Sequence, residues 1–131
     1  MSHFTKVATK INDLTALKKA LDQLGWKYQH DDAGVVVRGY RGQTMKAAIA
    51  IDMGKYDVGV VQQEDGNYSL EADWWGVETT KGLKEEEVVK ELNAKYAYQR
   101  VVAAVEEQGY TIDTNAVQAD GSVKLTVSKW G

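Results

Sequence analysis

The chain contains no cysteine and no proline among its 131 residues. The first absence removes disulfides, thiolate metal sites and cysteine nucleophiles together, and it suits a reducing compartment. The second leaves chain reversals to glycine, asparagine and aspartate and removes prolyl isomerisation as a slow folding step. Histidine is also scarce. His3 and His30 lie too far apart for any metal-ligand spacing. No stretch approaches the roughly 18 consecutive apolar residues of a membrane span. Met1–Lys6 has neither an apolar run nor a small-residue cleavage site, so no signal peptide is expected. The net charge is only −3, which argues against nucleic acid as a partner.

What is present is ordinary for a folded domain. Hydrophobic residues make up 44% and charged residues 27%, which excludes a disordered chain. The length suits one hydrophobic core, and no linker divides it, so one domain over 1–131 is expected. Such a chain buries roughly two thirds of its unfolded surface and needs no staple.

Periodicity predicts an α+β fold: a mainly antiparallel sheet of six to eight strands with two helices on one face. A weak first strand spans Phe4–Lys10. Leu14, Leu17, Leu21 and Leu24 recur at helical spacing, with Asn12 as N-cap and Gly25 at the stop, so a helix is expected over 12–24. Trp26–His30 and Val35–Tyr40 flank a hairpin turn at Asp31–Gly34. Thr44–Met53 is a further strand. Asp57–Gln63 and Tyr68–Trp75 flank a second turn at Glu64–Asn67. A polar loop is expected over 76–84, then a long helix over 85–108 opened by Glu85, Glu86 and Glu87. Its apolar residues fall on two sides. That fits either a bend near Asn93 or one straight helix with a second apolar stripe. Tyr110–Val117 and Ser122–Trp130 close the chain as a hairpin around Asp120 and Gly121.

Three segments carry candidate chemistry. Val35–Thr44 concentrates Arg38, Tyr40, Arg41, Gln43 and Thr44 with Gly39 and Gly42. Arginine clasps carboxylate or phosphate through paired hydrogen bonds, and glycine lets an anion approach the backbone. The segment therefore reads either as a site for an anionic small molecule or nucleotide, or as a solvated strand corner. It is not a phosphate loop, because it lacks the Gly-Lys-Ser/Thr ending and opens no helix. Trp74 and Trp75 come second. If the strand continues through them they face opposite ways, so only one can enter the core; the other either packs an edge under the 76–84 loop or lies at the surface, where it can anchor a partner. Third, Tyr96 lies among Lys95, Tyr98 and Arg100 on the long helix, either as a partner contact or as an anchor onto the sheet. No nucleophile elbow, zinc-protease motif or dinucleotide fingerprint occurs, and no cofactor is called for.

Several motifs resemble one family in chain order. They are Met1-Ser2-His3-Phe4, Leu24-Gly25, Val37-Arg38-Gly39-Tyr40-Arg41-Gly42-Gln43-Thr44, Tyr56-Asp57-Val58-Gly59, Ala72-Asp73-Trp74-Trp75, Tyr96-Ala97-Tyr98, Asp120-Gly121-Ser122 and Lys129-Trp130. The family is hypothetical chloroplast open reading frame thirty-five, also called domain of unknown function twelve fifty-seven. Its members occur in plastids, cyanobacteria and cyanophages, which implies a stromal or cytoplasmic setting. Lys95 stands where the family pattern has arginine, and Gln99 where it has histidine. The resemblance implies no reaction, cofactor or active site. The expectation is therefore a non-enzymatic binding or adaptor domain with a protein partner. An anionic-ligand binder using Val35–Thr44 is the alternative, and an enzyme at that segment the remaining reading.

Overall fold

The computed structural model describes residues 3–119 and 122–129. The expected turn at Asp120 and Gly121, and Trp130, lie outside the described residues. Within them the order is β1 (Thr5–Ala8), α1 (Leu14–Leu24), β2 (Tyr28–Arg38), a single 3-10 turn (Tyr40–Gly42), β3 (Thr44–Asp52), β4 (Asp57–Gln62), β5 (Tyr68–Ala72), α2 (Trp74–Lys81), α3 (Glu85–Glu107), β6 (Tyr110–Val117) and β7 (Val123–Lys129). The α+β class and the antiparallel pairing match expectation. Five strands form one sheet in the order β1-β5-β4-β3-β2, and β6 and β7 form a separate pair.

One face of the large sheet carries the main core. Ile49, Ile51, Val58, Val60, Leu70 and Ala72 rise from the strands to meet Leu17, Ala20 and Leu21 of α1 and Val88 and Leu92 of α3. Removing this much apolar surface from water is the main drive to fold. α1 begins one residue later than expected. Asp13, not Asn12, is its N-cap and accepts a hydrogen bond from the Ala16 amide at 3.1 Å. Gly25 closes it in the left-handed region, as the sequence predicts.

The expected helix count is corrected from two to three. The strand expected to run to Trp75 stops at Ala72, and the expected loop over 76–84 contains α2. Asp73 captures the Gly76 amide at 3.1 Å and Gly82 terminates the helix in the left-handed region. α2 then adds Val77 to the core. α3 runs as one helix from Glu85 to Glu107. Its first half enters the core through Val88 and Leu92, while its second half leaves Val101 49% exposed beside β6 and β7. A groove of about 410 Å³ separates them. The helix is uninterrupted at Asn93, and its second apolar side is left partly exposed.

The hairpin turn expected at Asp31–Gly34 does not exist. Asp31 satisfies the Ala33 amide locally at 2.8 Å, and the strand continues. Both halves of β2 pair with β3: Tyr28 with Ile51 and His30 with Ile49, then Val35 with Ala47 and Arg38 with Thr44. Five steps along β2 thus match two along β3, so surplus residues bulge out. A bulge bends and twists its strand. Here it swings the end of the β2–β3 hairpin back over the second face of the sheet. Val37 and Ala47 land on Gly59 of β4 and form a small second core with Ala50, Phe4, Met45 and Val61. The approach is so close that a Cβ on Gly59 would lie 2.9 Å from Val37 Cγ2 and 3.3 Å from Ala47 Cβ.

A clasp holds the folded hairpin down. Arg38 ends β2, and Asp57 opens β4. The Arg38 backbone amide donates to Asp57 Oδ2 at 2.8 Å, its Nε to the same oxygen at 2.9 Å and its Nη2 to Oδ1 at 2.7 Å. Nη2 also donates to Asp52 Oδ1 at 3.2 Å and the Gly54 carbonyl at 2.9 Å. Asp57 is only 5% exposed. A carboxylate this buried needs a cation and several donors, and Arg38 supplies three of the bonds itself.

Two substitutions test this arrangement by chemical denaturation. Gly59→Val should destabilise by about 1–3 kcal/mol through overpacking beneath the hairpin. Asp57→Ala should cost about 1.5–3 kcal/mol through lost charged hydrogen bonds. Wild-type midpoints in both variants would mean that the hairpin is not held as described.

Candidate functional site

The turn that follows Arg38 is where two sequence candidates meet. β2 ends at Arg38, so the strand expected over Val35–Tyr40 stops two residues short and Tyr40 does not continue it. Instead Tyr40 opens the 3-10 turn. Gly39 N–H donates to the Gln43 carbonyl at 2.7 Å and Gln43 N–H to the Tyr40 carbonyl at 3.0 Å, closing the corner. Arg41 sits within it at φ 52°, a left-handed conformation that costs a side-chain-bearing residue about 1 kcal/mol. The guanidinium carbon lies 5.1 Å from the centroid of the Tyr40 ring, within cation–π range. The other partner of that ring is Trp75, edge to face, with centroids 6.4 Å apart and planes at 86°.

The tryptophan pair divides its work on the first turn of α2. Trp74 packs against the main core and its indole N–H donates to the Thr5 carbonyl at 3.0 Å. Trp75 is 57% exposed. The division arises from successive positions of a helix, roughly 100° apart, and not from the two faces of a strand. Tyr40, Arg41 and Trp75 therefore form one exposed aromatic and cationic corner. Gln43 and Thr44 are exposed beside it and make no side-chain hydrogen bond among the described residues.

Tyr96 stands elsewhere and faces inward. Its ring packs on the main core, and its hydroxyl accepts from the Asn12 and Asp13 amides at 3.1 and 3.2 Å. It also donates to Asn12 Oδ1 at 3.3 Å. The hydroxyl thus satisfies amides at the start of α1 and ties α3 to it. Tyr96 is an internal anchor, apart from the exposed corner of Tyr40, Arg41 and Trp75.

Arg38 also parts company with Arg41. It lines a cleft of about 520 Å³ under the folded hairpin, with Lys27, Tyr28, Gln29, Val36, Ala50, Asp52 and Asp57. The hydrogen bond to Asp57 is the main influence holding the Arg38 guanidinium pKa above its ordinary value. Burial, and then the Asp22 carboxylate, raise the phenol of Tyr28, so it stays protonated through neutral pH. The two-arginine anion site read from Val35–Thr44 is thus divided: Arg38 faces the cleft, and Tyr40, Arg41, Gln43 and Thr44 do not line it. Among the described residues no group of three or more histidine, aspartate or glutamate side chains is placed to hold a metal. None of the helices described is long and apolar enough to cross a membrane.

Sequence reasoning missed Lys27, Asp52 and Asp57 because only the bend in β2 brings them to Arg38. The caps of α2 were readable, because Asp73 and Gly82 bracket Trp74–Lys81, but Gly76 within that run weakens the helix signal.

Comparison with known proteins agrees with the motif resemblance. "Uncharacterized protein ycf35" from Pyropia yezoensis is 35% identical over 130 residues, covering 99% of this chain and 98% of the relative. The proteins of the same name from Cyanophora paradoxa and Guillardia theta are 33% and 32% identical, with the same coverage. No solved structure matches. Residues 20–126 match the family described as "Protein of unknown function (DUF1257)", and the chain belongs to that family.

Proposed function

We propose that the protein is a non-enzymatic binding or adaptor domain that docks onto another protein through the corner formed by Tyr40, Arg41 and Trp75. The observation that carries this reading is the edge-to-face contact between Tyr40 and a tryptophan that remains 57% exposed. Tryptophan, tyrosine and arginine dominate the energetics of protein interfaces, and here the contacts with Tyr40 already restrain the arginine and the tryptophan. The three come from two segments about thirty-five residues apart in sequence, yet each restrains the next. Trp75 flanks the Tyr40 ring and Arg41 lies over it. Left-handed backbone at a residue other than glycine is a recurrent feature of functional corners. Membership of this family, with the plastid and cyanobacterial occurrence that the motif resemblance implies, supports a photosynthetic cytoplasm or plastid stroma as the setting.

The reading is tested by affinity capture from such a cytoplasm with the wild-type chain and with Trp75→Ala and Arg41→Ala. Both side chains are exposed, so both variants should fold. A specific partner should be recovered with wild type and fall at least about tenfold with Trp75→Ala, the loss expected of a hot-spot residue. Recovery of the same proteins at the same yield by all three chains would reject the corner as a docking site.

A further inference from the structure

We propose that the cleft beneath the folded hairpin binds a small zwitterion, an α-amino acid or a compound with the same pairing of ammonium and carboxylate. The site is separate from the docking corner, and neither reading depends on the other.

The charges on its walls point to this class. Lys27 and Arg38 bring two positive charges, and Asp52 and Asp57 two negative ones. A simple anion entering the cleft would meet both carboxylates, and a simple cation would meet both bases. A ligand with opposite charges a few ångströms apart meets neither penalty.

The hydrogen bonds sharpen the assignment. Arg38 commits Nε and Nη2 to the clasp, which leaves the Nη1 edge unused. Asp52 uses Oδ1 for the Gly54 amide at 2.8 Å and for Arg38, which leaves Oδ2. The Lys27 ammonium and the Gln29 amide meet no partner among the described residues. The cleft therefore offers donors for a carboxylate at Lys27, Gln29 and Arg38 Nη1, and an acceptor for an ammonium at Asp52 Oδ2. Ala50 and Val36, the latter 51% exposed, line the same cleft and suit a short carbon skeleton. The volume of about 520 Å³ falls within the usual range of small-molecule sites. The clasp also fixes Arg38 before any ligand arrives, so little ordering remains to oppose binding.

The test is a titration of the isotopically labelled full chain by NMR. The probes are glycine, L-serine and L-glutamine, with acetate and methylammonium as single-charge controls. The amides of Lys27–Gln29 and Ala50–Asp52 should shift saturably with at least one zwitterion, at a Kd of about 1 mM or tighter. Lys27→Met and Asp52→Asn should each weaken that binding by about tenfold or more. Lys27 is exposed and outside the clasp, and asparagine retains the Oδ1 acceptor, so both variants keep the fold. The proposal is overturned if no zwitterion gives a saturable shift, if either variant binds as wild type does, or if acetate or methylammonium binds as tightly.

Discussion

The ion pair between Arg38 and Asp57 governs the placement of the β2–β3 hairpin. Asp57 begins β4, where its carboxylate is largely buried at the edge of the cleft. Arg38 ends another strand that reaches it only because β2 bulges and folds over. Neither residue would be stable there alone. A buried carboxylate without a cation is expensive, and the hairpin without the clasp would rest on the small apolar contact of Val37 and Ala47 with Gly59. The pair therefore sets where the hairpin tip lies, and the tip carries Tyr40 and Arg41.

Two consequences follow on opposite sides of the same hairpin. Underneath, the clasp walls a cleft of balanced charge, and its own unused atoms face the cavity. At the tip, the chain turns through a strained Arg41 and lays Tyr40 against Trp75 at the start of α2. The arrangement separates a small polar cavity from a larger aromatic surface, although both draw on one ten-residue segment. The remainder of the fold supports this. α1 and α3 cover the other sheet face, and Tyr96 locks them together through amides that α1 would otherwise leave unpaired.

Much of the scaffold was legible along the chain because its signals are local. The leucine stripe of α1, the left-handed Gly25, the acidic opening of α3 and the Asp65–Gly66 turn each depend on a few neighbouring residues. The errors have local causes as well. Asp31–Gly34 has the composition of a turn, but its aspartate bonds within the bulge and the strand partner does not change. Trp74 and Trp75 look like the end of a strand because aromatic residues favour sheets. The Asp73 cap overrides that preference and starts a helix.

By itself, the sequence determined the α+β class, the principal helices and the segment in which arginine, tyrosine and glycine concentrate. It did so because periodicity, capping and turn chemistry act over one or two turns of chain. Only the tertiary structure decided where the side chains of that segment go. It turned Arg38 inward to Asp57 and a cleft, and turned Tyr40 and Arg41 outward to Trp75. The physical reason is distance along the chain: a buried carboxylate nineteen residues away, on a strand reached by a bend, leaves no periodic mark on the sequence around Arg38.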